Sequence, residues 1–220
     1  MAVDPAGWPA ADGAATGIAP WNRLWDALAG RRPDESVHAG LLRHYAERHR
    51  AYHTRQHLDE CLTLLDGLRA DCEREHEVAA ALWFHDAFYL PRRGDNELRS
   101  ADWLAEVASA AGLPADVLAR LHALVMATRH DAVPVGRDAQ VLVDIDLAIL
   151  GSPQARFDAY ERQVRVEYRW VPKPLYRRKR AAVLASFLAR PRLYSTDGFF
   201  ERFERPAREN LGRSIALLGS

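Results

Sequence analysis

From Trp21 onward the apolar residues recur every three or four positions. Leu58, Cys61, Leu62, Leu65 and Leu68 form one stripe, and Val117, Leu118, Leu121, Leu124, Val125 and Thr128 form another, the spacing of side chains on one face of an α-helix. Few stretches alternate as a half-buried strand would. The punctuation agrees: Asp95 stands where a helix running to Ala111 would be capped, Gly112 follows it, and Gly151-Ser152-Pro153 closes one element and opens another. The pattern predicts an all-α chain, a single bundle of roughly nine helices. Val141 to Leu150 is the ambiguous segment, because its β-branched residues also suit a buried strand; we read it as helical.

No internal repeat and no Gly/Ser/Pro-rich linker follows residue 20, so one domain is expected over residues 21–220. Residues 1–20 are rich in Ala, Gly, Pro and Asp and read as a disordered N-terminal extension. They hold no Lys or Arg and no continuous apolar run, unlike a secretory signal. The longest apolar stretch, Val141 to Leu150, is too short to span a bilayer and carries Asp144 and Asp146. No membrane association is expected.

Thirty Lys plus Arg balance thirty Asp plus Glu, so no global field draws the molecule onto nucleic acid. Recognition of a charged ligand must be local. Cys61 and Cys72, the only cysteines, lack the spacing of a disulfide framework or a structural zinc site, which points to a reducing cytoplasm.

Three features carry chemistry. His53 and His57 lie four apart beside Tyr52, so a helical turn there would put both imidazoles on one side. Trp83 to Tyr89 sets His85 and Asp86 inside a strongly apolar helix. A buried carboxylate must be neutralised, hydrogen-bonded or bound to a cation, and a self-satisfying His–Asp pair at a helix end is the simpler alternative. The run from Val141 to Leu150 likewise embeds Asp144 and Asp146, one of which an N-cap would explain. A His, an adjacent His-Asp and a distant Asp make a mixed nitrogen and oxygen set suited to Mn, Fe, Co, Ni, Zn or Mg, and this reading excludes a thiolate ligand.

His57, then His85-Asp86, then Asp146 resemble the H…HD…D signature of the HD superfamily of metal-dependent phosphohydrolases, an all-helical fold. Tyr52-His53-Thr54-Arg55-Gln56-His57 is similar to the Tyr-His-Asn-x-x-His motif of class I cyclic-nucleotide phosphodiesterases, in which the second His is a ligand and the first is the general acid. Trp83-Phe84-His85-Asp86-Ala87, Asp95 to Ala101, Asp144 to Gly151 and Arg165 to Tyr168 look like a group of uncharacterised bacterial HD phosphohydrolases. The resemblance spans about residues 21–218. Thr54 replaces the Asn of the phosphodiesterase motif and no nucleotide-clamping glutamine is found, so cyclic-nucleotide specificity does not carry over.

The resemblance implies a divalent ion on His57, His85, Asp86 and Asp146, a small phosphorylated substrate such as a nucleotide, and His53 as general acid. Glu97 would orient the water or a ligand imidazole, or is a solvated first-turn acid. His130 is a candidate ligand for a second metal or a surface residue at a helix end. Within the basic run from Arg162 to Arg180, Arg165 and Arg180 are the candidate phosphate-gripping side chains; a solvated helix face is the alternative. Two other functions compete: a non-catalytic nucleotide sensor, which shares these ligands, and a diiron oxygenase, which needs further histidines when only His122 and His130 follow His85.

Overall fold

The computed structural model describes residues 8, 9 and 11–219. Among them are ten α-helices and no strand, as the apolar periodicity predicts. The chain divides into two compact units, the first ending at Ile145 and the second starting at Asp146.

The first unit contains α1 (Ile18–Ala29), α2 (Glu35–Tyr45), α3 (Arg55–Asp66), α4 (Glu75–Phe84), α5 (Asn96–Ala110), α6 (Ala115–Met126) and most of α7 (Arg137–Leu147). Every residue of α4 from Glu77 to Phe84 is buried. A helix apolar on all sides must be enclosed, and α4 is, by α1, α3, α5 and α6. Its Trp83 meets Trp21 of α1 edge-on, the ring centroids 5.1 Å apart, and His38 of α2 packs against both. Such aromatic pairs contribute about 0.5–1.5 kcal/mol each beyond their burial.

Of the N-terminal extension, residues 8, 9 and 11–20 are described. Trp8 is buried, and Gly13 and Thr16 are held by Asp59 of α3. This carboxylate accepts from the Gly13 amide at 2.9 Å and the Thr16 amide at 3.0 Å, while Arg55 donates to Thr16 Oγ1 and the Gly13 carbonyl. A buried acid needs such donors, and the segment that looked too polar to dock supplies them. Residues 1–7 and 10 of that extension lie outside the described residues.

Asp95 precedes α5 as expected, but its carboxylate pairs with Arg93 at 2.5 and 2.6 Å and caps no amide. Val141 to Leu150 is helical: α7 runs to Leu147, and a 3-10 turn covers Ala148–Gly151.

The second unit contains the end of α7, then α8 (Gln154–Glu167), α9 (Lys173–Leu188) and α10 (Asp197–Gly219). Phe157, Leu184, Tyr194, Phe199, Phe203 and Leu211 form its core. Asn210 of α10 donates to the carbonyls of Leu150 and Ser152, both at 2.9 Å, and so satisfies the end of the 3-10 turn. Gly151 lies against α10, where a Cβ would stand 2.7 Å from the Phe203 carbonyl oxygen.

Candidate metal centre

The break in α4 creates the site. The helix stops at Phe84, His85 occupies its C-cap and Asp86 lies in the turn beyond, so this pair sits at a helix end and not within a helix as expected. His57 comes from the first turn of α3. Both rings are almost completely buried, and the Asp86 side chain is 17% exposed.

Three donor atoms face one another. His57 Nε2 and His85 Nε2 are 3.1 Å apart, His85 Nε2 and Asp86 Oδ2 are 3.1 Å apart, and His57 Nε2 and Asp86 Oδ2 are 3.6 Å apart. Donors about 2.1 Å from a common ion are separated by about 3.0 Å at a right angle and about 3.4 Å at a tetrahedral angle. The triangle has the dimensions of one face of a coordination shell.

The protons point the same way. His85 Nδ1 lies 2.7 Å from the Leu82 carbonyl, which only accepts, so Nδ1 carries a hydrogen and the neutral ring turns the lone pair of Nε2 inward. That lone pair faces a carboxylate oxygen and a second imidazole nitrogen at hydrogen-bond distance. Either a cation or the His57 tautomer that carries its hydrogen on Nε2, with Nδ1 accepting from Tyr52, satisfies such an arrangement. His57 Nδ1 has the Tyr52 hydroxyl at 3.0 Å, the outer hydrogen bond that fixes a ligating imidazole. Burial would raise the Asp86 pKa, but the nearby His85, His53 and His57 outweigh it and hold the carboxyl well below its usual range.

Asp146 is the first residue past the unit boundary, on the unbroken helix α7. With His57, Cys61 and His85 it forms a largely buried group in which one ligand atom from each residue lies within 4.8 Å of the others. This His-Cys-His-Asp group can hold a metal ion. Asp144 is fully buried and Asp146 is not; two positions along a helix are about 200° apart, so the two acids take opposite faces.

Cys61 corrects the exclusion of a thiol. It lies one turn beyond His57 on α3, with Sγ 3.7 and 3.8 Å from the two ring nitrogens, and so rests along the flank of the imidazole. The i, i+4 spacing from His57 was the available signal, and it looked like core patterning.

His53 is not on the helix with His57. It precedes α3, stacks on Tyr89 with ring centroids 3.9 Å apart, and its charge acts on Asp86. Sequence reasoning missed Arg50, whose side chain has no exposure. Its Nη1 donates to the carbonyls of His53 and Asp86, its Nη2 donates to that of Ala87, and its ring-stacked guanidinium lies near Tyr45 and Tyr89. One buried cation thus ties the segment before α3 to the turn after α4.

The remaining candidates do not join this group. Glu97 is half-buried in the first turn of α5. His130 closes the 3-10 turn after α6 in a left-handed conformation, φ 56°, and His122 Nε2 lies 3.2 Å from Asp102. Arg165 donates to the carbonyls of Tyr168 and Val171. Arg180 is bound by Glu161 and the Tyr160 hydroxyl, and Tyr160 in turn feels the charge of Asp146.

In comparisons with known proteins, no family profile, no curated protein and no solved structure matches this chain. No helix of the described residues is long and apolar enough to cross a membrane.

Proposed function

We propose that the cluster binds a divalent metal and that the protein uses it to hydrolyse a phosphate ester, a nucleotide or related small phosphoester. The observation that carries the reading is the inward-facing set of His57 Nε2, His85 Nε2 and Asp86 Oδ2 at 3.1 to 3.6 Å. The residues fit the group: two imidazoles with outer hydrogen bonds, carboxylates from Asp86 and Asp146, and a thiol alongside that favours Zn or Co over Mg. When bound, the ion supplies Lewis acidity toward a phosphoryl oxygen and a lowered pKa for water.

The chain's own residues do the rest. Tyr52 and the Leu82 carbonyl orient the two imidazoles, and Arg50 fixes the segments that carry His53 and Asp86. His53, held flat against Tyr89 beside the cluster, gives its proton to the leaving oxygen, work for which an imidazole is suited near neutral pH.

The test is a turnover screen. Metal-stripped protein is supplied separately with Mn, Fe, Co, Ni, Zn or Mg and offered nucleoside monophosphates, cyclic nucleotides and an aryl phosphoester. Metal-dependent release of phosphate or nucleoside monophosphate is expected. Binding of metal and nucleotide without turnover in any combination would overturn the hydrolase reading and identify a sensor.

A further inference from the structure

The second unit carries a pocket of about 480 Å³ between α8, α9 and α10, a volume typical of sites for small organic molecules. Its walls hold four cationic side chains, Arg162, Arg165, Lys173 and Arg177, and one acid, Glu161. Glu161 is already answered: Oε1 accepts from Arg180 Nε at 3.1 Å and Oε2 from the Ser214 hydroxyl at 2.9 Å. The pocket therefore keeps an uncompensated positive charge.

Two of the cations are fixed in place. The Arg165 guanidinium lies 4.6 Å from the centre of the Tyr176 ring and donates to the carbonyls of Tyr168 and Val171. Arg177 Nε donates to the Leu218 carbonyl at 2.9 Å and closes the last turn of α10. Arg162 and Lys173 are exposed at the rim.

Tyr176 is the second observation. It lines the pocket and is 8% exposed, yet its hydroxyl is buried with no hydrogen-bond partner. A buried hydroxyl without a partner is unfavourable, and a ligand oxygen in the pocket would satisfy it. Its ring and the side chains of Leu217 and Leu218 give the pocket an apolar wall.

We propose that this pocket binds a small organic phosphate, an anion whose phosphate meets Arg162, Lys173 and the Tyr176 hydroxyl beside the fixed charges of Arg165 and Arg177, and whose apolar body lies on Leu217 and Leu218. The site is built wholly from the second unit and does not depend on the metal reading of the cluster. Arg165 and Arg177, held by backbone carbonyls, supply fixed positive charge, and the exposed Arg162 and Lys173 are left to donate to the phosphate oxygens.

Titration calorimetry on the full chain with chelator present, using adenosine 5′-monophosphate, inorganic phosphate and hexanoate as probes, tests this directly. Adenosine monophosphate should bind tightest, inorganic phosphate weakly and hexanoate least. The R162E/K173E variant, altered only at exposed positions, should lose at least tenfold in affinity, while R162K/K173R keeps it. Tyr176→Phe should fold with no loss of melting temperature and bind several-fold more weakly. Equal affinity in wild type and R162E/K173E would overturn the proposal. So would binding of RNA or anionic vesicles through these residues with none of the monophosphate, which would make the pocket part of a macromolecular surface.

Discussion

His85 Nε2 stands 3.1 Å from Asp86 Oδ2 while its other ring nitrogen is committed to the Leu82 carbonyl at 2.7 Å. Adjacent residues reach this geometry because α4 ends at Phe84, just before them, and both lie in the turn that follows. A pair satisfying itself would need a proton at that nitrogen. The nearby His57 nitrogen faces the same position, which a hydrogen on that ring or a shared cation fills.

His53 is expected to act on the leaving group and not on the ion. His53→Asn should keep its metal content and lose about 10²–10⁴ in rate on an alkyl phosphoester. An activated aryl phosphoester, whose leaving group needs no proton, should lose far less. Elemental analysis and the two rates check this, and an equal loss on both substrates would remove the assignment.

The docked N-terminal segment should matter for stability. Asp59→Ala leaves the amides of Gly13 and Thr16 without their acceptor, and hydrogen bonds to a charged group contribute about 1.5–3 kcal/mol each. Deleting residues 1–18 should lower the melting temperature clearly, because Thr16 and Trp8 are buried. A melting temperature unchanged by the deletion would show that this segment adds nothing to the fold.

Stability should also fall in mildly acidic solution. Burial holds the His44 imidazole below its ordinary pKa, Arg50 and Arg99 add to that, and Glu47 opposes it. The ring lies edge-on to Phe88 and Trp103. The unfolded chain takes up this proton first, near pH 6.5, so His44 weakens the fold as pH drops below about 6.5 until the folded ring also titrates. His44→Gln should flatten the slope of unfolding free energy against pH between about 7 and 5 relative to wild type. An unchanged slope would assign it to other histidines.

The helices were legible because their apolar stripes are, and His57, His85, Asp86 and Asp146 stood out because ionisable groups in apolar runs need a reason. The turn at His85 was not legible, since Trp83 to Tyr89 reads as continuous helix until tertiary packing stops it. Cys61 was hidden within a core stripe. Arg50 looks like any surface arginine, and only the folded chain shows that three carbonyls converge on it. Asp59 was equally silent, because the amides it binds belong to a segment whose composition suggests no structure. The boundary between the units falls inside α7, where no linker composition marks it.

The central claim is that His57, His85 and Asp86, with Asp146 on α7, hold one divalent ion. Equilibrium dialysis against Zn and Mn, with bound metal measured per chain, tests it most directly. Wild type should bind one ion, His85→Ala and Asp86→Ala should lose it at the same free concentration, and Asp144→Asn, on the opposite face of α7, should keep it despite a loss of stability. Undiminished metal in a folded His85→Ala protein, or no metal in wild type, would contradict the account.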